Sequence, residues 1–168
     1  MNYLKATYVA LAGCFVTLAL APFEVWPLAL LGGALLYHAT HRENPGTAFR
    51  YIFLFGLALF TSGASWVYVS IHEFGFVAKP LSILLTALFC VTLALINTAG
   101  WLPYIIFRKA QPPATAPNSP SHLLLFASSG LFSECLRGWV FSGFPWLYLG
   151  YSQSQAPLAG WAPSAACT

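Results

Sequence analysis

Long apolar runs follow one another along the chain, and the short breaks between them carry most of the charged residues and prolines. A helix that crosses the hydrocarbon of a bilayer needs about 20 largely apolar residues. The first run, 3–20, is interrupted only by Lys5. Ala21-Pro22-Phe23-Glu24-Val25-Trp26-Pro27 then reads as a turn with proline near both ends. The second run, 26–40, is short and is expected to lean on the first as a hairpin partner. A polar loop from His41 to Thr47 leads to the third run, 49–70, which carries no charge after Arg50. The loop Ile71–Pro80 holds His72, Glu73 and Lys79. The fourth run, 81–107, is long enough to tilt, with Pro103 placed to kink its end. Residues 108–121, with Pro112, Pro113, Pro117 and Pro120, read as a linker before a fifth run over 122–141. From Gly138 to Tyr151 the pattern becomes a mixture of aromatic, glycine and proline positions. The expected fold is therefore an all-α membrane protein, a polytopic bundle of about five transmembrane helices plus an irregular outer-leaflet segment.

Composition agrees. The chain is 58% hydrophobic and 7% charged, with a mean hydropathy of +0.71. Water-facing surface in soluble domains requires about 25% charged residues. The 17% aromatic content fits rings that favour the water–hydrocarbon boundary. At 168 residues there is room for one domain, and the few dispersed basic residues leave no nucleic-acid footprint. With the N-terminus placed in the cytoplasm, Lys5, Arg42, Arg50, Arg108 and Lys109 fall inside and Lys79 and Arg137 outside. Five against two satisfies the positive-inside rule, and the opposite orientation violates it.

Cys14, Cys90, Cys135 and Cys167 show no CxxC or metal-type spacing, so neither a disulfide nor a metal site is expected. Leu11-Ala12-Gly13-Cys14 matches the pattern cleaved in bacterial lipoprotein precursors. The apolar stretch before it is short for a signal segment, and the chain stays hydrophobic after Cys14, so an intact first helix is expected.

The segment 134–153 carries the candidate chemistry. Glu134 and Arg137 stand at i, i+3 on one helix face, where they can pair and lower the cost of burying charge in lipid. One reading is an ion pair that anchors a helix end at the outer interface. The other is a polar outer-leaflet pocket in which Arg137 holds a phosphate or carboxylate headgroup. Gly143, Pro145 and Gly150 break helical regularity, which membrane depth tolerates only inside protein or beside a cavity. Trp139, Trp146, Tyr148 and Tyr151 serve either an interfacial aromatic belt or a wall for acyl chains.

The run Leu136–Gln153, LRGWVFSGFPWLYLGYSQ, resembles the signature of bacterial apolipoprotein N-acyltransferases. Three further stretches match in the same order: Leu20–Ala29, Ser65–His72 with Phe74-Gly75, and Ala156–Gly160 with Ala162-Pro163. The resemblance implies a protein of the Gram-negative inner membrane. Its family moves an acyl chain from a phospholipid, typically phosphatidylethanolamine, to the amine of a diacylglyceryl-cysteine lipoprotein. The resemblance further implies a thioester on a cysteine, assisted by a glutamate base and a lysine, in a periplasmic nitrilase-like domain. The helices would dock that domain and admit lipid sideways. Carried over residue by residue, Trp146 and Arg137 are expected to touch lipid or headgroup, and Glu134, Trp139, Tyr148 and Tyr151 to shape the outer pocket. For Glu134 and Trp139 the favoured role is support of the fold. Trp66, Tyr68 and His72 should reach the same outer face.

The match departs from the family at its end. After Pro163 the chain reads Ser164-Ala165-Ala166-Cys167-Thr168, an atypical tail that suggests a truncated reading frame, and none of the cysteines occupies the family's nucleophile position. No catalytic residue and no cofactor is carried over, and the chain alone is expected to be inactive. A non-enzymatic lipid-binding or scaffold protein is the alternative. A small transporter is disfavoured because no pair of broken helices occupies corresponding halves.

Overall fold

The computed structural model describes residues 3–20, 22–108, 120–140 and 143–153, and all regular structure among them is helical. Lys109 and most of the proline linker, the end of the fifth run at Phe141, the Ala156–Pro163 match and the tail with Cys167 lie outside the described residues. Five longer helices are α1 (Tyr3–Leu18), α2 (Pro27–Thr40), α3 (Pro45–Ala64), α5 (Lys79–Gly100) and α7 (Pro120–Trp139). Short α4 (Val67–Val69), a π-helical turn Ser70–Phe74, α6 (Leu102–Phe107) and a 3-10 turn Leu149–Gln153 complete the set. Proline stands in the first turn of α2, α3, α5 and α6, where its missing N–H costs no helical hydrogen bond. Among the described residues α3 and α5 are long and apolar enough to cross a membrane, and α1 is apolar but shorter, at 16 residues.

Two boundaries differ from the sequence reading. The third helix starts earlier, at Pro45, and stops at Ala64, so Ser65–Phe74 form a turn, α4 and the π-helical turn instead of the last part of a straight span. Serine, β-branched valine and aromatic residues hold a helix weakly there. The fourth run is broken at Trp101 into α5 and α6. Pro103 cannot donate back to the Ala99 carbonyl, and the chain closes with Trp101 N–H to Thr98 O at 3.1 Å.

The helices pack in the order α2, α1, α3, α5, α7, with α2 also reaching α3 and α6 reaching α7. Val9, Val16, Leu36, Tyr51, Ile52, Phe60 and Tyr104 fill the core. Small residues let backbones approach. A Cβ on Gly13 would stand 2.5 Å from the Phe55 carbonyl oxygen, and one on Gly100 would overlap the Cα of Ser133. The α5–α7 contact is further joined by Ser133 Oγ, which donates to Asn97 at 2.9 Å. At one end of the bundle Lys5 pairs with Glu43, and the buried Arg108 donates to the carbonyls of Thr40 and Glu43. At the other end the turn after α1, the turn after α3 and the C-terminus of α7 come together with residues 143–153.

Gly100→Val should lower the melting temperature of the detergent-solubilised protein, at a cost of about 1–3 kcal/mol from overpacking against Ser133. Gly33, also helical but with nothing within 4 Å of a built Cβ, serves as the control. Gly33→Ala should be neutral or stabilising by about 0.5–1 kcal/mol. Thermal melts of both variants check the packing, and the reverse ranking would contradict it.

Candidate functional site

Two side chains of the last turns of α7 fix the returning segment. Arg137 is 2% exposed. Its Nη2 donates to the Leu147 carbonyl at 3.2 Å, and its guanidinium lies 5.2 Å from the Phe60 ring centre and 4.9 Å from that of Tyr148. Its Nε is buried without a hydrogen-bond partner. One turn earlier Glu134 accepts the Leu149 amide on Oε1 at 2.6 Å. The two side chains form no ion pair within 4 Å among the described residues, unlike the pairing their i, i+3 spacing suggested. Each instead satisfies a backbone group of the segment that folds back over them.

The backbone of that segment follows the same logic. Phe144 N–H donates to Arg137 O at 3.0 Å and Gly143 N–H to Val140 O at 3.0 Å. Gly143 has φ +85°, a conformation that costs a glycine little, and a Cβ there would overlap the Gly138 carbonyl. Leu147 takes φ 63°, held there while its side chain packs where a Cβ on Gly63 would fall. The Tyr148 hydroxyl lies over Gly138 and leaves no room for a side chain. Phe144 meets Phe89 edge-on at 5.4 Å, and Tyr148 stacks on Tyr151 at 5.8 Å.

A cleft of about 610 Å³ opens between this segment and the ends of α1 and α3. Trp66 and Trp146 meet edge-on at 6.2 Å on its wall, with Leu20, Phe23, Leu147 and Tyr151. Thr17 and Ser62 bring a small polar patch, their hydroxyls 2.7 Å apart. Trp146 is 60% exposed and Tyr151 58%.

The expected site residues therefore divide. Trp146, Tyr151 and Trp66 line the cleft. Arg137 and Glu134 lie behind the segment and hold it, with the Tyr148 ring of the segment over the guanidinium, so the guanidinium expected at a headgroup is buried on protein groups. Trp139 is 83% exposed and does not line the cleft. Tyr68 and His72 stack on each other at 5.5 Å, and His72 Nδ1 is 2.8 Å from the Val77 carbonyl. Sequence reasoning missed Thr17, Ser62, Leu147 and Phe60, because their roles depend on contacts between helices distant in sequence. The described cysteines, Cys14, Cys90 and Cys135, are free thiols, and no group of three or more His, Cys, Asp or Glu among the described residues could hold a metal.

Fold and cleft together define a helical bundle with an aromatic-walled cleft at one end. The family model described as the apolipoprotein N-acyltransferase N-terminal domain matches residues 12–166. The chain belongs to the apolipoprotein N-acyltransferase family. It is 42% identical over 153 residues to the apolipoprotein N-acyltransferase of Azotobacter vinelandii, a match covering 90% of this chain. With the Pseudomonas syringae pv. tomato and Coxiella burnetii proteins of that name it shares 43% and 40% identity over 90% and 95% of its length. The matches span 28%, 29% and 32% of those three relatives.

Replacing Arg137 with Gln removes a charged hydrogen bond worth about 1.5–3 kcal/mol together with its ring contacts. Limited proteolysis between Gly143 and Gln153 should then run at least about tenfold faster, as local opening becomes easier. An unchanged cleavage rate would mean that Arg137 does not hold the segment.

Proposed function

We propose that this chain is the lipid-handling membrane part of an apolipoprotein N-acyltransferase, and that the cleft beside Trp146 receives an acyl chain of a phospholipid. The observation that carries the reading is the cleft itself. Its wall is apolar and aromatic, its polar patch is small, and its size falls within the range of about 300–1,000 Å³ typical of ligand pockets. A ligand with a long apolar body fits such a lining. On this reading the donor is a phosphatidylethanolamine-like phospholipid and the acceptor a diacylglyceryl-cysteine lipoprotein. Trp146, Tyr151 and Trp66 contact the lipid. Arg137 and Glu134 keep the wall in place, Tyr148 packs on Arg137 from within it, and Trp139 anchors the end of α7 at the interface.

The bundle sits in the bacterial inner membrane with five spans, in which α1, α2 and α7 accompany α3 and α5. Support comes from the length of α3, about 30 Å at the helical rise, and from the exposed leucine and isoleucine face of α5. The N-terminus lies on the cytoplasmic side, in keeping with Lys5, Arg42, Arg50 and Arg108 at one end of the bundle. These residues alone hold lipid without transferring the chain. Thioester chemistry needs an activated thiol at the bound acyl chain, and none of the described cysteines, Cys14, Cys90 and Cys135, lines the cleft.

The test uses proteoliposomes containing this chain, a diacylglyceryl peptide and a phospholipid with a radiolabelled, photoreactive acyl chain. Labelled adducts near Trp146 without acyl transfer are expected, with several-fold fewer adducts in Trp146→Ala. Measurable transfer would overturn the proposal that these residues are inactive alone. Adducts that ignore the Trp146 substitution would overturn the assignment of the cleft.

A further inference from the structure

At the end of the bundle opposite the aromatic cleft, a second cavity of about 410 Å³ is lined by Lys5, Tyr37, His38, His41 and Arg42. Nothing in the acyl-chain reading uses it. Its groups are held in place by one another. Tyr37 stacks on His41 at 5.4 Å with the rings 18° apart, and the His38 and His41 rings lie 5.7 Å apart. His41 Nδ1 is 3.0 Å from the His38 carbonyl, so that nitrogen carries the proton and donates it. This leaves Nε2 as the ring atom able to gain a proton and donate to a ligand. The Tyr8 hydroxyl is 3.4 Å from His38 Nδ1, which orients the other imidazole.

Charge at this end is unbalanced. Lys5, Arg42, Arg50 and Arg108 face one carboxylate among the described residues there, Glu43, which is already paired with Lys5. Arg108 is used on backbone carbonyls, whereas Arg42 is exposed beside the cavity. Below the polar cavity the flanking helices turn apolar. Leu11 lies one turn along α1 from Tyr8, and Leu31 lies two turns before His38 on α2, which places each on the same helix face as its polar partner. Leu11 is 49% exposed and Leu31 45%. The exposed helix faces are thus basic and aromatic at the tip, with Leu11 and Leu31 exposed below.

We propose that the cavity between Lys5, His38, His41 and Arg42 is a binding site for a phosphate group, that of an anionic phospholipid whose acyl chains run along Leu11 and Leu31. Arg42 supplies fixed positive charge, and Lys5, held by Glu43, stands beside it. The two imidazoles supply donors when protonated, and the Tyr37 ring keeps His41 in position. The site rests on the membrane reading above but not on the aromatic cleft, from which the bundle separates it. Partial burial holds the His41 imidazole below its ordinary range, and the groups facing it are Arg42, His38 and Tyr37, with Lys5, Tyr8 and Glu43 around the cavity. A bound phosphate favours the protonated rings, so affinity falls as pH rises through the imidazole range.

The experiment reads phosphatidylglycerol retention by native mass spectrometry after nanodisc release, and compares it with inorganic phosphate binding to the detergent-solubilised protein. Expected is selective retention of phosphatidylglycerol over phosphatidylcholine, weakened roughly tenfold by Arg42→Gln and again by His38→Ala, and unaffected by Lys79→Gln. Helical circular dichroism of each variant separates lost binding from lost folding, and His41→Gln should weaken the pH dependence. Binding of inorganic phosphate with no preference for phosphatidylglycerol would overturn the lipid assignment. Retention that ignores Arg42 and His38 would overturn the site. Photo-adducts at Trp146 are measured on the same samples. Their loss with intact phosphatidylglycerol retention would sink the cleft reading alone, and the converse would sink this one alone.

Discussion

The returning segment at the end of α7 must satisfy its own backbone without a helix or a sheet to do so, and Glu134 and Arg137 meet that constraint. One accepts the Leu149 amide and the other donates to the Leu147 carbonyl. Everything beyond follows from this attachment. It presses the Leu147 side chain towards Gly63 and brings the Trp146 ring edge-on to Trp66. The cleft exists only while that wall stays in place. Charges on a helix face that would otherwise pair with each other are each turned towards an unpaired peptide group. An ion pair between them would have left the Leu147 carbonyl and the Leu149 amide without these partners.

The helices were legible in the sequence because apolar runs and prolines mark them directly. Pro27 and Pro45 open α2 and α3 where the pattern breaks. The break at Trp101 was less legible, since Pro103 acts on the hydrogen bond of a residue four positions back and the chain yields upstream of it. At the site, Trp146 and Tyr151 could be named from the aromatic, irregular pattern of their segment. Their neighbours Thr17 and Ser62 could not, because a lone hydroxyl on a helix carries no signal until the facing helix is known. The role of Arg137 was half legible. Its cost in lipid demanded a partner, but only the fold makes that partner a carbonyl ten residues later.

The bundle is chemically polarised. One end gathers aromatic rings, a returning segment and three glutamates, Glu24, Glu73 and Glu134; the other gathers Lys5, Arg42, Arg50 and Arg108 with a histidine pair. Small residues between the helices, such as Gly13 against Phe55 and Gly100 against Ser133, let the backbones pack closely between the two ends. A substitution that spreads α5 from α7 therefore reaches the cleft wall, since Phe144 rests on Phe89 of α5.

Amide hydrogen exchange of the protein in nanodiscs tests the central claim most directly. Phe144 and Leu149 donate to Arg137 O and the Glu134 carboxylate, and the account predicts protection of both amides comparable to that of the α7 interior. Exchange of both at the rate of an open loop would contradict it, and with it the cleft that depends on the wall.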